Sequence, residues 1–82
     1  MVAFQVPITF DFKGVMLEIT TAANVARAHR EGYAWHTWFS NEDRDAPASW
    51  RTLAERCVDG IMTARPRALH RVLARTERPA GC

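Results

Sequence analysis

The stretch VAFQVPITFDFKGVMLEIT, residues 2–20, decides how this chain is read. Val2, Phe4, Val6, Ile8, Phe10 and Phe12 alternate with Ala3, Gln5, Pro7, Thr9 and Asp11, the period-two pattern of a half-buried strand. After Lys13 and Gly14 the alternation resumes, with Val15, Leu17 and Ile19 set against Met16, Glu18 and Thr20. The two runs read as a hairpin. Facing Phe12 with Val15 across a two-residue turn also faces Phe10 with Leu17 and Ile8 with Ile19, all apolar. A slip of one would set Ile8 against Glu18, so parity selects the register. Lys is not a favoured first residue of a primed turn, which leaves a four-residue loop of the same parity as the alternative. Pro7 falls opposite Thr20 in a non-hydrogen-bonded pair, where its missing N–H points away from the second strand. It also favours the first strand being a sheet edge at its start.

Outward from the hairpin, Thr20 or Thr21 can cap a short helix with Ala22, Val25, Ala26 and His29 on its inner stripe and Gly32 as its C′ residue. Residues 33–39 favour a third strand, with Tyr33, Trp35, Thr37 and Phe39 on one face and Ala34, His36 and Trp38 on the other. A right-handed crossover through the helix would set this strand parallel to the second. Pro7 favours a place beside strand two, and the general preference for antiparallel neighbours a place beside strand one. Residues 40–46 read as an acidic loop, with Glu42, Asp43 and Asp45 around Arg44, leading to Pro47 at a helix start.

From residue 47 to about residue 64, Trp50, Leu53, Ala54, Cys57, Val58, Ile61 and Met62 keep helical spacing, which predicts the main core helix. Gly60 lies off that stripe, and Pro66 ends the run. Residues 66–75 restart with Leu69, Val72 and Leu73 inward and Arg67, Arg71 and Arg75 outward. The order β-β-α-β-α-α predicts a small two-layer α+β domain over residues 1–75, a three-stranded sheet packed against helices. Residues 76–82 have nothing to bury and read as a flexible C-terminal tail. The expected core joins Leu53, Cys57 and Ile61 to Phe4, Ile8, Phe10, Leu17 and Ile19.

Eighty-two residues leave room for one core. A chain 48% apolar and 24% charged is neither disordered, collagen-like nor disulfide-dense. The net charge of +2 is too small to imply nucleic-acid binding by itself. Its distribution says more: from residue 65 onward five Arg against Glu77 alone leave +4, while the first 64 residues carry −2. Ten of the eleven cations are Arg, from a coding bias or from a surface built for forked contacts. Cys57, on the expected core stripe, reads as an inert packed thiol, and Cys82, on the tail, as a reactive one. Two such cysteines do not make a secreted scaffold, so a reducing, cytoplasmic setting is expected. The first seven residues lack the cationic start and apolar run of a secretory signal, and no apolar run approaches the ~20 residues of a membrane span.

Chemistry-bearing patterns are sparse. His29, His36 and His70 with Cys57 and Cys82 lack the short spacing of a structural zinc site, so no metal or other cofactor is expected. Cys57 would be a nucleophile only beside a base and a cation, whereas a free Cys on an apolar stripe serves as a small hydrophobe. Glu42, Asp43 and Asp45 lack the Gly-centred spacing of a calcium loop. No phosphate-cradling loop or nucleophile elbow is present, and the chain is expected not to be an enzyme.

Two candidate surfaces remain. Tyr33, Trp35, Trp38 and Phe39 lie on a strand with two faces, so a ring left over from the core would meet a protein partner. Arg67, Arg71 and Arg75, with Arg78 beyond them, could fork onto phosphates or an acidic patch, although the outer face of a terminal helix is often simply solvated. The leading expectation is a small non-enzymatic binding protein. Short single-domain chains without motifs are common among phage or mobile-element inhibitors of host machinery, anti-CRISPR proteins being an example, and this analogy of size supplies the narrower expectation. The alternatives are a nucleic-acid-binding or regulatory module using the C-terminal arginines, and a small homodimeric structural domain.

Overall fold

A computed structural model describes residues 3–39, 44–80 and 82. Its elements are β1 (Ala3–Pro7), β2 (Thr9–Phe12), β3 (Val15–Glu18), α1 (Ala22–Arg30), β4 (Ala34–Trp38), α2 (Pro47–Glu55), β5 (Gly60–Met62) and α3 (Pro66–Ala74). The fold is a small α+β domain with a three-stranded parallel sheet in the order β1-β4-β5 and a separate β2-β3 hairpin.

The hairpin has the expected register, Phe10 opposite Leu17 and Phe12 opposite Val15. Lys13 and Gly14 both take positive φ, 53° and 83°, so the connection is the two-residue primed turn despite Lys in its first position. The Asp11 side chain accepts from Gly14 N at 3.0 Å and closes that turn. The first long strand, however, is two strands. Ile8 is the pivot: its N–H donates to the Trp38 carbonyl, while its own carbonyl accepts from Ile19 and Thr20. Before Ile8 the chain pairs with β4; after it, with β3. Alternation along β1 turns the Pro7 nitrogen to the outer edge of the sheet, where a missing donor leaves no gap in the ladder.

The third expected strand, β4, lies beside β1 and parallel to it, with Phe4 opposite Trp35 and Val6 opposite Thr37. The expectation of a strand parallel to strand two is thus corrected: the hairpin leaves the sheet, and the crossover through α1 returns to β1. A second crossover through α2 adds β5 on the far side of β4, Ile61 opposite Thr37. Both crossovers step across the sheet in one direction, and right-handedness puts α1 and α2 on the same face.

The expected core helix over residues 47–64 is also corrected. α2 stops at Glu55, Cys57 takes φ 66°, and its N–H and that of Val58 turn back to the carbonyls of Ala54 and Leu53. That is a Schellman stop, with Val58 and Leu53 in its accompanying apolar contact. α1 ends the same way at Gly32, φ 86°, with Gly32 and Tyr33 donating to His29 and Ala28. Gly60 then belongs to β5, where a Cβ would come within 2.8 Å of the His36 ring.

The core holds Ile8, Val25, Ala28, Trp35, Leu53 and Val58, with Val6, Ile19, Tyr33, Phe39, Cys57 and Ile61 packed at its margin. Trp50 is fully buried. Phe10 and Leu17, expected inside, are exposed, as is Phe4. On α1 the buried residues are Val25 and Ala28, whereas Ala22 and Ala26 face solvent. α3 has the expected extent and packs on α2 through the side that carries Leu69.

Cys57 and Cys82 form a disulfide, Cα–Cα 5.1 Å, which overturns the reading of one inert and one reactive thiol. The left-handed turn at Cys57 takes it off the helical stripe and leaves it half-buried at the core margin. Besides the disulfide, the segment read as a tail with nothing to bury makes two hydrogen bonds: Thr76 Oγ1 donates to the Val72 carbonyl, and Arg78 donates to the Val58 carbonyl at 3.1 Å.

Candidate interaction surfaces

Three polar clusters set the frame on which the surfaces sit. In the first, Thr20 and Thr37, both fully buried, join the hairpin to the sheet. Thr20 Oγ1 donates to the Pro7 carbonyl at 2.9 Å and accepts from Trp35 Nε1 at 3.0 Å, and Thr37 Oγ1 donates to the Val6 carbonyl at 2.9 Å. In the second, Asp59 Oδ2 accepts from Trp35 N at 2.7 Å and meets His29 Nε2 at 2.6 Å, tying α1 to β4 and to the start of β5. Burial works to raise the Asp59 carboxyl, but these hydrogen bonds and the charges of His29 and Arg78 outweigh it and hold the group below the usual carboxylate range. In the third, Asp45 accepts from Trp50 Nε1, Thr63 Oγ1 and Ala64 N. Desolvation again opposes the charge, and the three donors with Arg65 overcome it, so Asp45 too is held low.

A His–Asp pair invites a catalytic reading. A groove of about 390 Å³ beside it is lined by His29, Arg30, Arg56 and Cys57. The thiol that a histidine base would activate is bonded to Cys82, and Asp59 is shared with a backbone N–H, so the pair acts as a clamp between elements. Among the described residues, no three His, Cys, Asp or Glu side chains gather as metal ligands. Of the acidic loop, Glu42 and Asp43 lie outside the described residues.

The four aromatic candidates do not share one surface. Trp35 is buried and Tyr33 and Phe39 are half-buried against the core, so only Trp38 is exposed, beside Met62 on the sheet face opposite the helices. The larger apolar exposure is one that sequence reading placed inside. Glu18 pairs with Arg56 at 2.7 Å, and it lines a groove with Thr9, Ser49 and Thr52, so the Thr9–Glu18 side of the hairpin faces α2. Alternation turns Phe10, Phe12, Val15 and Leu17 away from the helices, each 43–58% exposed. Trp38 at 40% and Met62 at 45% are turned away from the helices likewise.

The arginine row is on the surface where expected: Arg67 and Arg71 are exposed along α3, and Arg75 is exposed at its C-cap. Arg78 is drawn off it by the Val58 carbonyl. Arg65, at the N-cap of α3, donates to the Asp45 carbonyl at 2.7 Å and lies over the Trp50 ring. Among the described residues no helix is long and apolar enough to cross a membrane. No protein-family model matches this chain, and no curated protein matches it either.

Proposed function

We propose that the protein is a non-enzymatic binding protein acting by protein–protein contact through the apolar side of its β2-β3 hairpin. The observation that carries this reading is that Phe10, Phe12, Val15 and Leu17 share one face of a two-stranded hairpin and are all exposed. At roughly 100 Å² of remaining surface each they form a patch on the order of 400 Å², the size that on single chains is often functional. Trp38 and Met62 extend the apolar character on the side turned from the helices. The arrangement suits a partner with an apolar surface that packs against the face of the hairpin, with Trp38 as a peripheral anchor. An inhibitor of host machinery, of the anti-CRISPR kind, is one form of such a protein, supported by the size class and the exposed patch together.

The test compares wild type with Phe10→Ser/Leu17→Ser. Because this cross-strand pair is exposed, the variant stays folded, with a loss of stability of about 1 kcal/mol or less. A partner retained by the wild type after nuclease treatment, then purified and titrated directly, binds the variant at least about 30-fold more weakly, as loss of an interface hot spot requires. Equal affinity for both would refute the hairpin as the contact. A wild type that is dimeric by light scattering and a variant that is monomeric would assign the patch to a second copy instead.

A further inference from the structure

We propose that the outer face of α3 binds the phosphate backbone of nucleic acid without regard to base sequence. Arg67, Arg71 and Arg75 are exposed and stand at i, i+4 and i+8, so their stems follow one another along the helix about 6 Å apart. None of the three guanidinium groups makes an ion pair or hydrogen bond among the described residues. α3 contains no acid, and like charges at this spacing destabilise a helix. A face whose only task is to be wetted gains from mixing both signs, and among the described residues no acid pairs with the row; Arg71 and Arg75, in the last turn and at the C-cap, do gain from the negative end of the helix dipole. Arg67 sharpens the point. It stands in the first turn, at the positive end of the helix dipole, where an acid is favoured and a cation opposed. Arg65 and Arg78 have internal acceptors, the Asp45 and Val58 carbonyls, and the side chains of the row have none among the described residues.

A membrane surface is the wrong occupant for this row. An amphipathic helix binds a bilayer by inserting its apolar side, and on α3 Leu69 is buried while Val72 and Leu73 are half-buried. An acidic protein patch fits less well, since the exposed part of α3 offers only Pro66 and Ala74 as apolar contacts beside its charges and His70. Evenly spaced guanidinium groups match a repeating anion, each able to fork onto one phosphate. α3 has no Asn or Gln to read adenine edges, and the even spacing of its arginines assigns them to the repeating phosphates rather than to guanine edges. This surface shares no residue with the hairpin patch, so the two readings stand or fall separately.

The experiment is fluorescence anisotropy of the whole chain with a short labelled DNA duplex and, separately, a single strand of mixed sequence, across about 50–200 mM salt. Three phosphate contacts give a log–log salt slope of about −2.7 on duplex or −2.1 on single strand. Each of Arg67→Gln, Arg71→Gln and Arg75→Gln flattens it by about 0.9 or 0.7, and the triple variant loses the binding with an unchanged circular dichroism spectrum. Phe10→Ser/Leu17→Ser leaves it intact. Absence of wild-type binding at the lowest salt would overturn the proposal. So would an unaltered slope in the triple variant, or equally tight binding to phosphatidylserine vesicles or polyglutamate.

Discussion

Replacing Thr20 by Val isolates the hydroxyl cluster that joins the hairpin to the sheet. The substitution keeps the side-chain shape, so no cavity opens, but it removes the acceptor of the Trp35 indole N–H and the donor to the Pro7 carbonyl. Thr20 and Thr37 have one hydrogen each, and the two carbonyls of Pro7 and Val6 already take both. The 3.0 Å contact between the two hydroxyls therefore adds no independent bond, and Thr37 retains its own after the change. An orphaned buried N–H costs about 1–3 kcal/mol and the lost bond about 1, so the expected loss is about 2–4 kcal/mol. For a chain of this size that is a large share of a total stability of roughly 4–12 kcal/mol. Urea unfolding read by far-ultraviolet circular dichroism measures it, and m should stay unchanged. Thr20→Ser keeps both bonds and gives up one methyl group, about 1 kcal/mol. With Trp35→Phe in the background the indole has gone, and Thr20→Val should become milder by about 0.5 kcal/mol or more. A loss below 0.5 kcal/mol for Thr20→Val, or Thr20→Ser as damaging as Thr20→Val, would refute the reasoning.

Other perturbations follow from the same geometry. Asp45 and Asp59 are both held below the ordinary carboxylate value, so each contributes stability that is present above that value and lost as pH falls through its lower folded one. Acid titration of unfolding should show stability declining below about pH 4, with a shallower decline in Asp45→Asn and Asp59→Asn; parallel curves for wild type and both variants would sink this account. Reducing the Cys57–Cys82 bond, which spans 25 residues, should lower stability by about 3.5 kcal/mol on the loop-entropy relation. Alkylation of native, unreduced protein should modify neither cysteine, and rapid labelling of Cys82 would restore the free-thiol reading. Leu53→Ala, at a nearly fully buried position, should cost about 2–5 kcal/mol in the same urea assay, and a cost like that of the exposed Phe10→Ser would remove Leu53 from the core.

The candidate surfaces were unequally legible. The arginine row could be read because Pro66 starts a helix and Leu69, Val72 and Leu73 orient it, which forces Arg67, Arg71 and Arg75 outward. The hairpin patch could not. Alternation tells which residues share a face, and it gave the register of Phe10 with Leu17 correctly, but it carries no information on whether anything covers that face. The aromatic strand shows the same limit from the other side, since Trp35 and Trp38 differ in burial because helices cover one sheet face and leave the other open.

While the choice of turn and of Thr21 over Thr20 came from the structure, the sequence by itself determined the hairpin and its register, a threonine cap before α1, the Gly32 stop, the Pro66 start and the small α+β class. Each is written in the preference of one residue type for one backbone geometry. What tertiary structure decided is clearest at the two Schellman stops. At Gly32 the left-handed turn is announced by a residue without a Cβ; at Cys57 the same turn is made by a residue with no such preference. The sequence therefore reads as helix straight through a position where the structure ends one. There the cost of the turn is met by distant groups: Val58 enters the core beside Leu53, Asp59 exchanges backbone and side-chain bonds with Trp35, and Gly60 slides under the His36 ring. Trp35 and His36 lie more than twenty residues from the turn, and only the folded sheet brings them within reach.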